Sequence, residues 1–144
     1  MGPIELRIEL KSWAEAQPLA APIRYAVFLE EKDPPPGIEL DELDPRCTHA
    51  VATDGSGKAV GTGRLHPDGQ IGRLVVLKEW RRLGVGEAIL AALIDEARKR
   101  RYPDVTVSAG LQAAEFYRGH GFVADGKVFK EGSTLQQKMR KPLP

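Results

Sequence analysis

The sequence predicts an α+β protein built on a mixed β-sheet with flanking helices. Three observations support that prediction. Residues 4–10 alternate apolar and charged side chains, which is typical of a half-buried strand. Residues 87–100 carry their apolar side chains at helical spacing. The elements run from strand hairpins through a strand–helix–strand unit to a closing hairpin, so the middle strands are expected to be partly parallel.

The first strand is followed by a predicted helix at 13–31. We expect this helix to be broken near 18–22, because Pro18 and Pro22 lack the backbone N–H that an interior helical position uses. The DPPPG stretch at 33–37 is incompatible with regular structure and predicts a loop, which the acidic residues that follow extend to position 45.

Three strands are predicted in the middle of the chain. Residues 49–53 and 59–65 flank a DGSGK turn and form a hairpin. After a second turn, HPDG, residues 70–76 form the next strand.

The last third begins with the long helix and continues with a short strand at 105–108 behind Pro103. A short helix is predicted at 113–119, and Gly121 follows its end. Residues 122–129 and 133–139 are predicted to close the chain as strands.

Composition limits the classes of function. The 144 residues suggest one domain, 1–144, with 42% hydrophobic and 28% charged residues, as in a soluble globular protein. A net charge of +1 gives no electrostatic case for nucleic acid or a membrane as the main partner. The N-terminus does not resemble a signal peptide, no apolar run reaches the ~20 residues of a membrane span, and Cys47 is the single cysteine. These features predict a cytoplasmic protein.

The stretch RRLGVGEAIL, residues 81–90, places two glycines and two arginines where the long helix begins. The first turn of a helix has unpaired N–H groups and a partial positive charge, and glycine lets an anion approach them closely. The pattern suits a pyrophosphate, but it lacks the Gly-Lys-Ser/Thr of a Walker loop and the third glycine of a dinucleotide fingerprint. A turn shaped by glycine without any ligand is the alternative interpretation.

The motif Arg81-x-x-Gly84-x-Gly86 resembles the acyl-CoA signature of the GNAT N-acetyltransferases, and AAEFYRGHGF at 113–122 resembles a second element of that superfamily. Residues 24–44, together with His49 and VGTGRL at 60–65, are similar to its ElaA/YjcF-like branch. The resemblance covers nearly the whole chain.

This resemblance implies the three-layer fold of the acyl-CoA N-acyltransferases, with a curved central sheet splayed where residues 73–76 and 105–108 part. Acetyl-CoA would lie in that cleft as co-substrate, beside a β-bulge on the first strand. No metal is implied. The residues implied to bind the coenzyme are Leu74, Val75, Val76, Arg81, Arg82, Leu83, Gly84, Val85, Gly86, Glu87, Ala113 and Phe116.

The resemblance also implies the chemistry. An acetyl group would move from acetyl-CoA to a primary amine of a small molecule or protein by direct attack on the thioester. Tyr117 stands at the position of the general acid, and a phenol with a pKa of ~10 can protonate a thiolate without ionising at rest. A packing role in a short helix is the alternative for Tyr117. The N–H of Val76 is the expected oxyanion donor.

Acceptor contacts and the general base are less specific. Arg24, Glu30, Glu39, Asp41 and His49 lie in or near the segment expected to cover the acceptor side. A solvated acidic loop is the alternative for the carboxylates, a surface ion pair for Arg24, and a satisfied core histidine for His49.

Three positions depart from the pattern of the resembled family. Gly110 stands seven residues before the tyrosine, where an Asn or Gln is usual, and Ser108 and Gln136 stand where the branch often has histidines. These departures support an alternative function, a CoA-binding module that senses or sequesters without chemistry. A homodimer through the terminal strands is a further expectation.

Overall fold

A computed structural model describes residues 5–28, 41–131 and 134–144. Within these ranges the chain forms three α-helices and eight strands. In chain order they are β1 Leu6–Lys11, α1 Trp13–Phe28, β2 Thr48–Asp54, β3 Ala59–Leu65, β4 Ile71–Val76, α2 Val85–Lys99, β5 Asp104–Gly110, α3 Ala114–Arg118, β6 Val123–Ala124, β7 Phe129–Glu131 and β8 Thr134–Pro142.

The strands form two antiparallel half-sheets that meet at one point. The first has the order β1-β2-β3-β4, and the second has the order β5-β8-β6 with β7 paired to β8. A parallel bridge between Gln70 and Thr106 joins them, and the Thr106 N–H donates to the Gly69 carbonyl at 3.0 Å. Beyond this bridge β4 and β5 separate, which confirms the predicted mixed and splayed sheet.

Helices pack on both faces of the first half-sheet. Alternate residues of a strand point to opposite faces. Leu74 packs with the core that contains Ile89 and Leu93 of α2, whereas Val75 packs against Ile23 of α1. The result is three layers, helix on sheet on helix. None of the helices in the described ranges is long and apolar enough to cross a membrane.

Helix α1 is continuous, so the predicted break near 18–22 is wrong. Pro18 and Pro22 both lie on the exposed side of the helix, four residues apart. Each removes one N–H donor from the helical ladder, and water can solvate the carbonyl groups that lose their partners. The buried side, formed by Ala16, Ala20 and Ile23, keeps the helix on the sheet. The end of the predicted helix, residues 29–31, lies outside the described residues.

The predicted strand 122–129 is two short strands, β6 and β7. Gly126 adopts a φ of +90° between them, a left-handed conformation that ends a strand. The turn is tied to β8, because the Asp125 N–H donates to the Lys138 carbonyl at 2.9 Å and Gln137 Nε2 donates to the Gly126 carbonyl at 3.1 Å.

Candidate active site

A β-bulge lies on β4, where the two half-sheets part. Thr62 pairs with Val75 and Arg64 pairs with Gly72, so Arg73 and Leu74 together stand opposite Gly63. Arg73 has a φ of +51°, which is uncommon for a residue with a side chain. The bulge interrupts the ladder and redirects the backbone that follows it. The bulge implied by the resemblance is therefore present, in the strand that was expected to carry it.

The glycine-rich turn follows β4 and leads into α2. Arg82 and Gly84 adopt left-handed conformations with φ of 64° and 83°. The first hydrogen bond of the helix runs from the Ala88 N–H to the Gly84 carbonyl at 3.1 Å. By helix geometry the N–H groups of residues 85–87 therefore have no acceptor within α2. Unpaired N–H groups of this kind are able to bind an anion.

The space around this turn is open. A Cβ built on Gly84 meets no atom within 4 Å, and residues 81–84 are all exposed, whereas Val85 is buried in the core. Arg81 Nε donates to the Val76 carbonyl at 3.1 Å and so ties the turn to the end of β4. The turn therefore combines a fixed backbone with room for a ligand outside it.

Helix α3 closes the same corner of the molecule. A Cβ built on Gly86 would lie 3.8 Å from Phe116 Cζ and 3.9 Å from Val76 Cγ2, so the starts of α2 and α3 and the end of β4 converge there. Ala113, in the turn before α3, is half-buried against the core. Tyr117 packs edge-on against Phe116 and Phe122, with ring centroids 5.1 and 5.5 Å apart.

Tyr117 is 9% exposed, and burial raises the pKa of its phenol to about 12. Taking a charged phenolate out of water is unfavourable, so the hydroxyl stays protonated throughout the neutral range. It can donate a hydrogen bond and cannot act as a base there. A protonated phenol can serve a departing thiolate either as the predicted general acid or through a hydrogen bond alone.

A buried ion network lies on the α1 side of the sheet. We call Arg24, Asp41, Asp44, Arg64 and Arg73 the arginine–aspartate network. Arg24 holds Asp44 with two hydrogen bonds of 2.9 and 3.1 Å, and Arg64 Nη1 donates to the same carboxylate at 2.8 Å. Arg64 also holds Asp41 at 2.7 and 3.1 Å, and Arg73 Nη2 donates to Asp41 at 3.1 Å.

Both carboxylates of the network are held in the ionised form. Burial by itself would raise the pKa of Asp44, but the hydrogen bonds from Arg24, the Asp41 N–H and Arg64 lower it below its ordinary value. Burial is likewise outweighed at Asp41, whose pKa is strongly lowered by Arg64 and Arg73. Carboxylates with such low pKa values are poor bases.

His49 lies at the centre of this packing. Its side chain is fully buried, its Nε2 is 2.9 Å from the Asp44 carbonyl oxygen, and its ring packs on Trp13 at 4.7 Å. Trp13 also contacts the Arg24 guanidinium, 5.0 Å from the ring centroid. Burial lowers the pKa of His49, so it is neutral and donates from Nε2 to the carbonyl.

Arg24 and His49 are both fully buried, so the geometry gives them a supporting position in the packing beneath α1. Asp41 keeps partial contact with solvent, with 22% of its side chain exposed. Glu30 and Glu39 lie outside the described residues. Within the described ranges, no group of three or more His, Cys, Asp and Glu side chains is placed to hold a metal ion.

The three departures from the family pattern share one face of the second half-sheet. Gly110 stands opposite Gln136, and Ser108 precedes Gly110 by two residues. The alternate residues Val107 and Ala109 are buried in the core, so Ser108 and Gly110 face the other way. The Gln112 amide lies over Gly110: its oxygen and nitrogen are 2.9 and 3.0 Å from a Cβ built on that glycine.

Sequence reasoning did not assign Arg64 or Arg73 to the site. Arg64 lies within the quoted VGTGRL segment and Arg73 within the predicted bulged strand, but strand residues with charged side chains usually face solvent. One signal in the sequence could have identified them. An arginine in an otherwise apolar and glycine-rich strand has no opposite charge beside it in the strand, so it needs a buried carboxylate from elsewhere in the fold.

Comparison with known proteins identifies the family of this chain. A sequence model of the acetyltransferase (GNAT) domain matches residues 39–143. The chain belongs to the GNAT acetyltransferase family. It is 35% identical over 123 residues to the uncharacterized N-acetyltransferase YjcF of Bacillus subtilis, covering 83% of this chain and 87% of that protein. The protein is therefore an acyltransferase.

Solved structures share the fold of this GNAT chain. An acyl-CoA N-acyltransferase from Pseudomonas aeruginosa superposes with a TM-score of 0.81 at 26% identity, over 95% of this chain and 99% of that one. Escherichia coli ElaA has a TM-score of 0.79 at 21% identity, with the same coverage of 95% and 99%. A Bacillus anthracis protein described as a streptothricin acetyltransferase, solved with acetyl coenzyme A, has a TM-score of 0.61 at 20% identity, over 69% and 64% of the chains.

Proposed function

We propose that this GNAT protein is an acetyl-CoA-dependent N-acetyltransferase that acetylates a primary amine of a small molecule or protein. The observation that carries the proposal is the parting of β4 and β5 directly beside the glycine turn. The extended arm of acetyl-CoA, with its thioester, would lie between the two strands, and the phosphates of the coenzyme would lie at the glycine turn. The names of the relatives support the acyl donor: an N-acetyltransferase, an acyl-CoA N-acyltransferase and a complex with acetyl coenzyme A.

The donor would be held mainly by backbone groups. After the bulge, Leu74, Val75 and Val76 present the edge of β4 to the cleft, and residues 81–87 present the N–H groups of the turn and of the first helical turn. Ala113 and Phe116 form the wall on the α3 side. Backbone recognition suits a flexible pantetheine arm, which pairs as a strand does.

Acetyl transfer forms a C–N bond and breaks the C–S bond. Tyr117 would donate a hydrogen bond to the departing sulfur. Its pKa of about 12 lies above the ~8.5 of a simple thiol, so the phenol stabilises the thiolate without giving up its proton. The proton lost by the attacking amine then completes the thiol. The N–H of Val76 would stabilise the oxyanion.

The candidate bases on the α1 side do not have the properties of a neutral-pH base, since Asp41 and Asp44 have lowered pKa values and His49 is buried. We therefore propose that the amine binds in its neutral form. The rate should rise with pH towards the pKa of the acceptor amine.

Tyr117→Phe tests the proposal. The substitution keeps the ring that packs on Phe122 and removes the hydroxyl. With a panel of amines, thiol release should fall about 10²-fold in kcat, while calorimetry should give an unchanged affinity for acetyl-CoA.

Two other outcomes lead to different conclusions. If the folded protein takes up no coenzyme A at all, the proposed function is overturned. If it binds acetyl-CoA tightly but acetylates no amine, and Tyr117→Phe changes only stability, the protein is a CoA-binding sensor. The departures at Ser108, Gly110 and Gln136 give that second function its support.

A further inference from the structure

We propose that Arg73 selects acceptors that carry a carboxylate close to the reacting amine. This inference rests on the proposed function and specifies the substrate class of the same site: small amino acids rather than simple amines or polyamines. Arg73 would act as a specificity-determining residue that binds the acceptor's carboxylate.

The side chain of Arg73 lies on the face from which an acceptor must come. The glycine turn belongs to the start of α2, so donor phosphates bound there occupy the α2 side. Arg73 extends to the other side, where its Nη2 meets Asp41 among the residues packed beneath α1. It is also the first residue of the bulge, beside the segment that would hold the thioester.

Asp41 does not need Arg73 to satisfy its carboxylate. Asp41 already accepts the N–H groups of Leu43 and Asp44 at 3.0 and 3.2 Å, in addition to two hydrogen bonds from Arg64. Arg73 adds a single bond through Nη2. A guanidinium has five N–H donors arranged to grip a carboxylate with two parallel bonds.

The Nε of Arg73 is buried and has no hydrogen-bond partner within the part of the chain that the structure describes. A buried donor without a partner is costly, and in a native site a water, an ion or a ligand group accounts for it. Arg73 also holds a left-handed φ of +51°, a strained conformation of the kind that persists where function requires it.

Matched pairs of acceptors test this inference. The pairs are glycine with ethylamine and 3-aminopropanoate with propylamine, with 1,2-diaminoethane as the dication. We would measure kcat/KM for acetyl transfer and, separately, calorimetric binding of each acceptor to the protein loaded with CoA. The wild type should prefer each amino acid to its partner by about tenfold or more, mainly through KM.

Arg73→Gln should remove the preference for the amino acids. Arg73→Lys keeps the positive charge but lacks the paired N–H donors of a guanidinium, so it should reduce the preference. Arg140→Gln is the matched control, because Arg140 is an exposed strand arginine whose ion pair with Asp104 lies outside the network. It should leave the preference intact. If Arg73→Gln fails to fold, the comparison of Arg73→Lys with wild type decides the question.

Equal kcat/KM for amino acids and plain amines, or a preference that survives in Arg73→Gln, would overturn the inference while leaving the acetyltransferase proposal in place. Absence of transfer to any acceptor, together with equal binding of the matched pairs, would overturn both. A short peptide with a free carboxyl terminus and the same peptide amidated are included, since a preference seen only there would assign the carboxylate to a polypeptide and overturn the small-molecule class.

Discussion

Asp44 is the residue that holds the arginine–aspartate network together. Its carboxylate is fully buried and is shared by Arg24 from α1 and Arg64 from β3, and its backbone carbonyl accepts from His49 on β2. One short side chain therefore joins a helix and the loop before β2 to the central strands. Replacing such a pair by apolar groups can be neutral, but removing one partner leaves a buried charge without compensation.

Asp44→Asn should accordingly destabilise the protein by about 3–5 kcal/mol, because two buried guanidinium groups lose the charge that neutralises them. The matched control is Asp95→Asn, which removes an exposed carboxylate paired to Lys99 at 3.5 Å and should change stability by less than about 0.5 kcal/mol. Urea unfolding at pH 7 measures both. A loss at Asp44 no larger than that at Asp95 would contradict the assignment of the network as a stabilising unit.

At the scale of elements, a glycine can have two roles: it can form a turn, or it can leave space for a ligand. The turn before α2 allows these two roles to be distinguished. Gly84 has a φ of +83° and Gly57, in the β2–β3 turn, has a φ of +87°, and a Cβ built on either meets nothing within 4 Å. The two positions carry the same backbone conformation and the same open space. They differ in location, since only Gly84 borders the N–H groups at the start of a helix.

Gly84→Ala and Gly57→Ala should therefore each cost about 1–2 kcal/mol of stability, because an L-residue is strained at a left-handed φ. Only Gly84→Ala should also weaken coenzyme A binding, by about tenfold or more, since its methyl group enters the space proposed for the phosphates. Chemical denaturation and calorimetry of the two variants give the comparison. Equal coenzyme affinity would leave the glycine with a turn-forming role alone.

The elements also show which parts of the fold a sequence can predict. The start of α2 depends on residues that are neighbours in the sequence, so the motif at 81–86 predicts it. The bulge on β4 was expected from the family resemblance that this motif carries. Helix α1 was predicted to break because prolines were judged without knowing which side of the helix they occupy. The turn at Gly126 was not predicted, because a single glycine in a strand pattern does not reveal its φ until the pairing with β8 is known.

At the scale of the whole molecule, the fold class follows from the order of elements, but the arginine–aspartate network does not. Arg24, Asp44, Arg64 and Arg73 come from a helix, a loop and two strands, up to 32 residues from their partners. Only the folded chain brings them together. The single domain, the cytoplasmic location and the homodimer remain predictions.

The same network makes the stability of the whole molecule sensitive to acid. The pKa of His49 is lowered by burial, so the unfolded chain takes up its proton first, near pH 6.5. Stability present above pH 6.5 is then lost as the pH falls, by up to about 1.4 kcal/mol per pH unit for this one group. The lowered pKa values of Asp41 and Asp44 add a further loss below about pH 4.

His49→Gln should flatten the pH dependence of the free energy of unfolding between pH 6.5 and 5, whatever its effect on stability at pH 7. The measurement is a series of urea transitions at half-unit intervals of pH. Above pH 7.5, where the histidine is neutral in both states, variant and wild type should run parallel. A slope between pH 5 and 6.5 that is equal in the two proteins would show that His49 is not buried in its neutral form.

The single bridge between Gln70 and Thr106 has one more consequence. Strands β4 and β5 each leave one edge without a strand partner over most of their described length, and such edges invite pairing with other chains. Here the unpaired edges of β4 and β5 face one another, and the gap between them closes at the bridge. While the bridge holds, a strand from another chain cannot pair along the full length of either edge, so the geometry proposed to admit the coenzyme would also hinder self-association through these edges.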